Sequence, residues 1–281
     1  MRCQWQAFLN ILPPSLRQMV DNRGREDLQE LRLRLGAAPE LVTGTGSVWL
    51  PTVVTKEHLS FCINTTCKYS PWSVFSASQG YLTAPGGHRM GICGDAVYSG
   101  EKLNGIREPT SLCIRVARDF PGIAERIGIR GSLLILGKPG SGKTTLLRDM
   151  IRQRSDKGNA AVSVVDERGE IFPYCNGQPC FPTGKRTDVL TGCRKPQGVL
   201  QVLRTMGPGA IAVDEITEEA DCSALLQAGW CGVDILATAH AGSVNDLLTR
   251  PVYRSLVDSK LFDRVIVLQA DKSWTEERLR L

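Results

Sequence analysis

Nowhere in this 281-residue chain does an apolar run approach the ~18 residues that a membrane-spanning helix needs. No basic, then apolar, then small-residue leader opens it, so neither a transmembrane segment nor a secretory signal peptide is expected. Internal repeats and low-complexity tracts are also missing, which leaves a globular chain. A strong excess of one charge is absent as well. The 34 basic and 29 acidic residues leave +5, too mild for a nucleic-acid signature, and no nucleic-acid partner is expected. That excess sits mostly in the first 130 residues, with 15 basic and 11 acidic groups. There it suits acidic lipid, nucleic acid or a neighbouring subunit equally.

Cysteine is plentiful, at ten residues, but C-x-x-C spacing does not occur. Cys62/Cys67 and Cys175/Cys180 are spaced C-x4-C with no histidine nearby to complete a zinc cage. Without a secretory leader the thiols are expected to be reduced, in a cytosolic protein, many of them filling cores. Hydrophobic residues make up 42% of the chain, ample for one large domain or two modest ones.

What is present centres on residues 133–145, Leu-Leu-Ile-Leu-Gly-Lys-Pro-Gly-Ser-Gly-Lys-Thr-Thr. The apolar run before the glycines reads as a buried strand. Leu146, Leu147, Met150 and Ile151 after them recur at helical spacing. Gly137, Gly142, Lys143 and Thr144 occupy the fixed places of G-x-x-x-x-G-K-[ST]. Glycine permits the positive φ that turns backbone N–H groups around a phosphate, and the helix dipole points at the same charge. The whole loop, Gly137, Lys138, Pro139, Gly140, Ser141, Gly142, Lys143, Thr144 and Thr145, is expected to bind ATP. Lys143 would bridge the terminal phosphates and Thr144 would hold Mg²⁺.

The first half reads as a smaller α+β domain over residues 1–120. An amphipathic helix reaches Asn22 with a break at Pro13-Pro14, and Leu28–Leu35 alternates as a half-buried strand. Strands at Leu41-Val42 and Val48–Leu50, a helix over Glu57–Ile63 and a segment at Tyr69–Phe75 follow. A glycine-turn hairpin at Gly80–Gly94 and a strand at Leu112–Arg118 complete it. The domain ends near Pro121-Gly122. Over 121–281, apolar runs alternate with helical segments and predict an α/β domain with a parallel sheet covered on both faces.

Ligands of such sheets sit beyond the carboxyl ends of the strands. Each of the first four strands ends there in polar residues: the glycine loop, Asp166-Glu167, Asp214-Glu215, and Thr238 with His240. Phosphoryl transfer to water needs a carboxylate for the metal, a base or orienter for the water, and cationic relief of charge. Asp214, after four apolar residues, fits the metal role. Glu167 and Glu215 compete for the water. His240, in a small-residue turn, can donate to the terminal phosphate, although a lone histidine is often only structural. Arg186, Arg115 and Arg118 can reach a nucleotide in trans, and the exposed-looking turn His88-Arg89 is a further candidate contact.

Together these segments resemble the stage III sporulation protein AA family of P-loop ATPases, related to secretion and type IV pilus motors. The match rests on residues 137–149, Val-Val-Asp-Glu-Arg-Gly-Glu-Ile at 164–171, and Arg-Thr-Asp-Val-Leu at 186–190. It continues through Ala-Val-Asp-Glu-Ile at 212–216 and Ala-Thr-Ala-His at 237–240, with residues 30–34 and 80–91 in the first half. The resemblance implies a RecA-like, hexameric, ATP-hydrolysing motor with Mg²⁺. Such a ring would be cytoplasmic and peripheral to the membrane on the mother-cell side. Its partners would be membrane proteins of a channel complex facing the forespore. It also implies that Glu167 is the base and that His240 contacts the phosphate. Asp214 departs from the related motors, which often lack that aspartate, and so keeps Glu215 in play. A helicase-type nucleic-acid motor, a non-hydrolysing nucleotide switch and a small-molecule kinase are the rival readings.

Overall fold

The computed structural model describes residues 1–25, 27–67, 80–175 and 177–278. The expected segment Tyr69–Phe75 lies outside them. The chain divides into two compact units, Met1–Asp119 with Pro173–Phe181, and Phe120–Phe172 with Pro182–Leu281. The return of Pro173–Phe181 to the first unit is not foreseeable from a linear pattern, because it depends on pairing between distant residues.

The first unit opens with α1 (Trp5–Asn10) and α2 (Pro14–Gly24), separated where extended Pro13 cannot continue a helix. Next come β1 (Leu28–Arg34), β2 (Glu40–Thr43), β3 (Gly46–Trp49), α3 (Lys56–Cys67), β4 (Tyr81–Thr83), β5 (Arg89–Ser99) and β6 (Lys102–Arg115). The six strands form one antiparallel sheet in the order β3-β2-β1-β6-β5-β4. Leu31 and Leu33 of β1 point into a core with Phe8, Leu12, Leu16, Leu41 and Ile114. The alternation read from Leu31 onward therefore marks the sheet's buried face.

His88 is completely buried, contrary to the exposed turn expected of it. Its Nδ1 accepts from the Ala117 N–H at 3.1 Å, and its Nε2 lies 3.1 Å from the Gln4 carbonyl. Residue polarity alone gave no sign of that, since both partners are main-chain atoms. Arg89 lies over the Tyr81 ring, 4.3 Å from its centroid. Arg115 pairs with Glu30 at 3.2 Å, and Arg118 donates to the carbonyls of Arg25 and Leu28.

The second unit contains β7 (Leu133–Gly137), α4 (Lys143–Lys157) and β8 (Val162–Asp166). A small hairpin of β9 (Tyr174–Cys175) and β10 (Gln178–Pro179) belongs to the first unit. Then follow β11 (Thr187–Thr191), α5 (Lys195–Thr205), β12 (Ala210–Val213), α6 (Glu219–Trp230), β13 (Asp234–Ala239), α7 (Val244–Leu248), α8 (Arg254–Asp258), β14 (Arg264–Leu268) and β15 (Trp274–Glu277). The sheet runs β11-β8-β12-β13-β7-β14-β15, parallel except for the last strand. Every residue of β7, β8 and β12 is buried, as expected of strands covered on both faces. Edge strands β11 and β15 carry too many polar residues to announce themselves by hydropathy.

All ten cysteines are free thiols, and Cys62 and Cys222 fill the two cores. Among the described residues no helix is long and apolar enough to cross a membrane.

Candidate nucleotide site

The parallel register decides which strand ends meet. Val213 pairs with Ala237 and Ala239 with Leu136, so one step further Asp214 lies beside Thr238, and His240 beside Gly137. Residues remote in sequence are thus gathered at the N-terminus of α4.

The loop has the conformation that its glycines anticipate. Gly140 and Gly142 have φ of +74° and +103°, in the region that disfavours side chains. A Cβ at Gly137 would meet the Ser141 Oγ at 2.4 Å and Leu268 at 3.2 Å, so a side chain there would displace Ser141 and crowd β14. Lys143 is buried, and its ammonium donates to the carbonyls of Gly137 (2.9 Å) and Lys138 (3.1 Å) and to His240 Nδ1 (3.0 Å). Burial lowers its pKa from the ordinary lysine value, against the attraction of Asp214 and Glu215. Its three protons are all engaged, so a phosphate oxygen must replace one of these acceptors.

An ammonium has no acceptor to offer, so His240 Nδ1 is the bare nitrogen and Nε2 carries the proton. Nε2 then donates to Glu215 Oε1 at 2.9 Å. Glu215 is also 3.9 Å from Arg168, and its N–H donates to Thr238 Oγ1 at 2.8 Å. It holds φ of +54°, a conformation costly for a residue with a Cβ, and this turn directs its carboxylate toward the imidazole. Thr144 Oγ1 donates to Asp214 Oδ2 at 2.7 Å, while Thr238 Oγ1 donates to Asp214 Oδ1. One hydrogen-bonded set therefore contains Lys143, Thr144, Asp214, Glu215, Thr238 and His240.

Glu167 stands outside that set. It follows β8, whose neighbour β12 leads into Asp214, and β8 is three strands or about 14 Å from β7. Its Oε2 accepts from the Lys195 N–H at 3.3 Å. The turn that carries it is rigid, because buried Asp166 accepts from the N–H groups of Glu170 (2.8 Å), Ile171 (3.0 Å) and Phe172 (2.8 Å). Arg186 is not in the site of its own chain. It donates to the carbonyls of Ser155 and Gly158 at the far end of α4, a helix about 22 Å long. Capping a helix C-terminus is its work there.

Sequence reasoning named Thr238 only as the end of a strand, and it overlooked Arg168 and Lys272. Lys272 donates to the Gly140 carbonyl at 2.6 Å. Only the register of β13, the turn after β8 and the turn between β14 and β15 reveal these roles.

The residues fit a magnesium nucleotide. Ser141 Oγ is buried in the loop with no partner among the described residues, and the positive-φ glycines leave space against the backbone. The joined Thr144 and Asp214 oxygens are hard donors suited to Mg²⁺.

Comparison with solved structures places the fold among P-loop secretion and pilus ATPases. The ATPase DotB of Legionella pneumophila superposes with a TM-score of 0.62 at 17% identity, covering 95% of this chain and 80% of that one. The pilus retraction motor PilT, solved with bound ADP, gives 0.61 at 13% identity over 89% and 76%. In sequence, Stage III sporulation protein AA of Bacillus subtilis is 34% identical over 276 residues, 93% of this chain and 90% of that protein. The family described as sporulation stage III, protein AA, matches residues 2–278. This chain belongs to that family.

Proposed function

We propose that the protein hydrolyses ATP with Mg²⁺ at the loop around Lys143. It acts as a ring of six copies at the cytoplasmic, mother-cell face of a sporulation membrane, driving a secretion-like channel complex. The observation that carries the enzymatic part is the single hydrogen-bonded set from Lys143 through His240 to Glu215, with Thr144 joined to Asp214. Family membership and the fold shared with DotB and PilT support the motor part.

When bound, Mg²⁺ neutralises charge on the phosphates. The chain's own residues do the rest. Loop N–H groups and Lys143 bind the phosphates, and Thr144 with Asp214 holds the metal. His240 donates to the terminal phosphate once Lys143 leaves its Nδ1 and that nitrogen takes up a proton, with Glu215 still accepting from Nε2. Glu215, already committed to His240 and Arg168, keeps that imidazole in place. Glu167 orients the attacking water and takes its proton, because only one of its oxygens has a protein donor among the described residues.

Purified variants test this. Lys143→Ala loses ATP binding, and Glu167→Gln binds ATP with turnover reduced roughly 10²- to 10⁴-fold. Normal turnover in Glu167→Gln, with loss in Glu215→Gln instead, reassigns the base. Stimulation only by DNA or RNA would favour a nucleic-acid motor.

A further inference from the structure

Glu167 is held by a residue that none of the site's chemistry has yet used. Lys195 is the first residue of α5, and its N–H donates to Glu167 Oε2 at 3.3 Å. Its ammonium lies 3.7 Å from the same oxygen. One residue grips one carboxylate oxygen through main chain and side chain together, with the positive end of a helix dipole behind it.

The ammonium has a fixed seat of its own. It lies 3.5 Å from Oδ2 of Asp221, whose side chain is 1% exposed in the first turn of α6. That Oδ2 also accepts from the N–H and hydroxyl of Thr217, at 2.9 and 3.3 Å, and from the Glu218 N–H at 3.4 Å. Oδ1 has no hydrogen-bond partner among the described residues. A buried carboxylate so incompletely bonded needs a cation beside it, and Lys195, itself only 13% exposed, is that cation. The chain of restraint runs from the first turn of α6 through Lys195 to the end of β8.

We infer that Lys195, seated by Asp221, is a positioning residue that fixes Glu167 Oε2 and leaves Oε1 to face the attacking water. This rests on the reading of Glu167 as base. Lys195 touches neither nucleotide nor water in this role, so its removal acts on turnover and not on ATP affinity. A surface ion pair would contribute almost nothing. Here Glu167 is 37% exposed, but the lysine is largely buried against Asp221 and holds one carboxylate oxygen from both its N–H and its ammonium, which sets the pair apart.

The experiment measures kcat, KM and binding of a fluorescent ATP analogue for Lys195→Met, Lys195→Arg, Glu167→Gln and the double variant Lys195→Met/Glu167→Gln. Lys195→Met should lower kcat roughly 10- to 100-fold with analogue Kd changed less than about twofold, as expected when a reacting group shifts by an ångström. Lys195→Arg should recover most of the rate, and the double variant should be no slower than Glu167→Gln alone. An unchanged or faster kcat in Lys195→Met overturns the inference, as does an independent, multiplicative loss in the double variant. Glu167→Gln separates the two layers. If it turns over normally, the base assignment falls and this inference with it; if it is inactive while Lys195→Met is normal, only this inference falls. Should Lys195→Met not fold, Asp221→Asn decides: a lowered kcat at unchanged Kd supports the positioning role, and an unchanged kcat overturns it.

Discussion

His88 and His240 show how one side chain serves opposite ends. His240 ends a strand beside the loop, bridges Lys143 to Glu215, and is only half-buried. His88 is sealed in the first unit, edge-on to Phe8, and burial pushes its pKa down to about 4. Its folded value is therefore below the ordinary 6.5, and the unfolded chain binds the proton more readily. Stability should be intact above about pH 6.5 and fall as pH drops toward 4, by about 3 kcal/mol across that window. Denaturant unfolding at pH 7 and pH 4.5 checks this. The gap between wild type and His88→Gln should shrink on acidification; a gap independent of pH would show that folding leaves the imidazole's proton affinity unchanged.

At the scale of elements, α4 does more than aim its N-terminus at phosphate. An ordinary surface helix keeps its charged face in water. Here Arg148, Asp149, Arg152 and Gln153 are buried along with Leu147 and Ile151. The reason lies in the connections that run past it. The chain passes between its two units three times, and a residue of α4 grips the second unit's side of each passage. Asp149 accepts from the N–H groups of Gly122 (3.1 Å) and Ala124 (2.8 Å) after the first. Arg148 donates to the carbonyls of Glu170 and Ile171 before the second, and Arg152 to that of Pro182 after the third. Burial alone would raise the Asp149 pKa, but these N–H groups, with Arg152 and Gln153, outweigh it and hold it below the usual carboxylate range. Asp149→Ala leaves buried N–H groups and the Arg152 guanidinium without their acceptor, so a loss of about 3–5 kcal/mol is expected in chemical denaturation. Loss below about 1 kcal/mol would mean that the passages hold themselves. Charged residues inside an amphipathic repeat are a sign of this kind of covering, but the sequence does not say what covers them.

For the whole molecule, the hydrogen-bonded set from Lys143 to Glu215 contains no arginine among the described residues, and Arg168 approaches it only through Glu215, at 3.9 Å. Arg186 is at the opposite end of α4, while Arg115 and Arg118 are engaged in the first unit. A motor with its cationic relief supplied in trans must assemble to turn over. Sedimentation of Glu167→Gln with ATP should therefore shift from monomer toward a six-fold ring. A species that stays monomeric at concentrations where it is saturated with ATP would remove the ring from the proposal.

Much of this protein is written locally. The glycine loop, the buried strands β7, β8, β12, β13 and β14, and the carboxylates and histidine at their ends follow from short-range rules, because burial on both faces demands unbroken apolar runs and phosphate binding demands glycine. Tertiary structure alone decided which ends meet and what each group does there. Strand register set Thr238 against Asp214 and Glu215 against His240, while Glu167 was turned toward Lys195. It also buried His88, sent Arg186 to cap the far end of α4 and returned Pro173–Phe181 to the first unit. Those outcomes depend on hydrogen bonds between residues as far as 176 positions apart, often to main-chain atoms, and no side-chain pattern along the chain encodes a backbone partner.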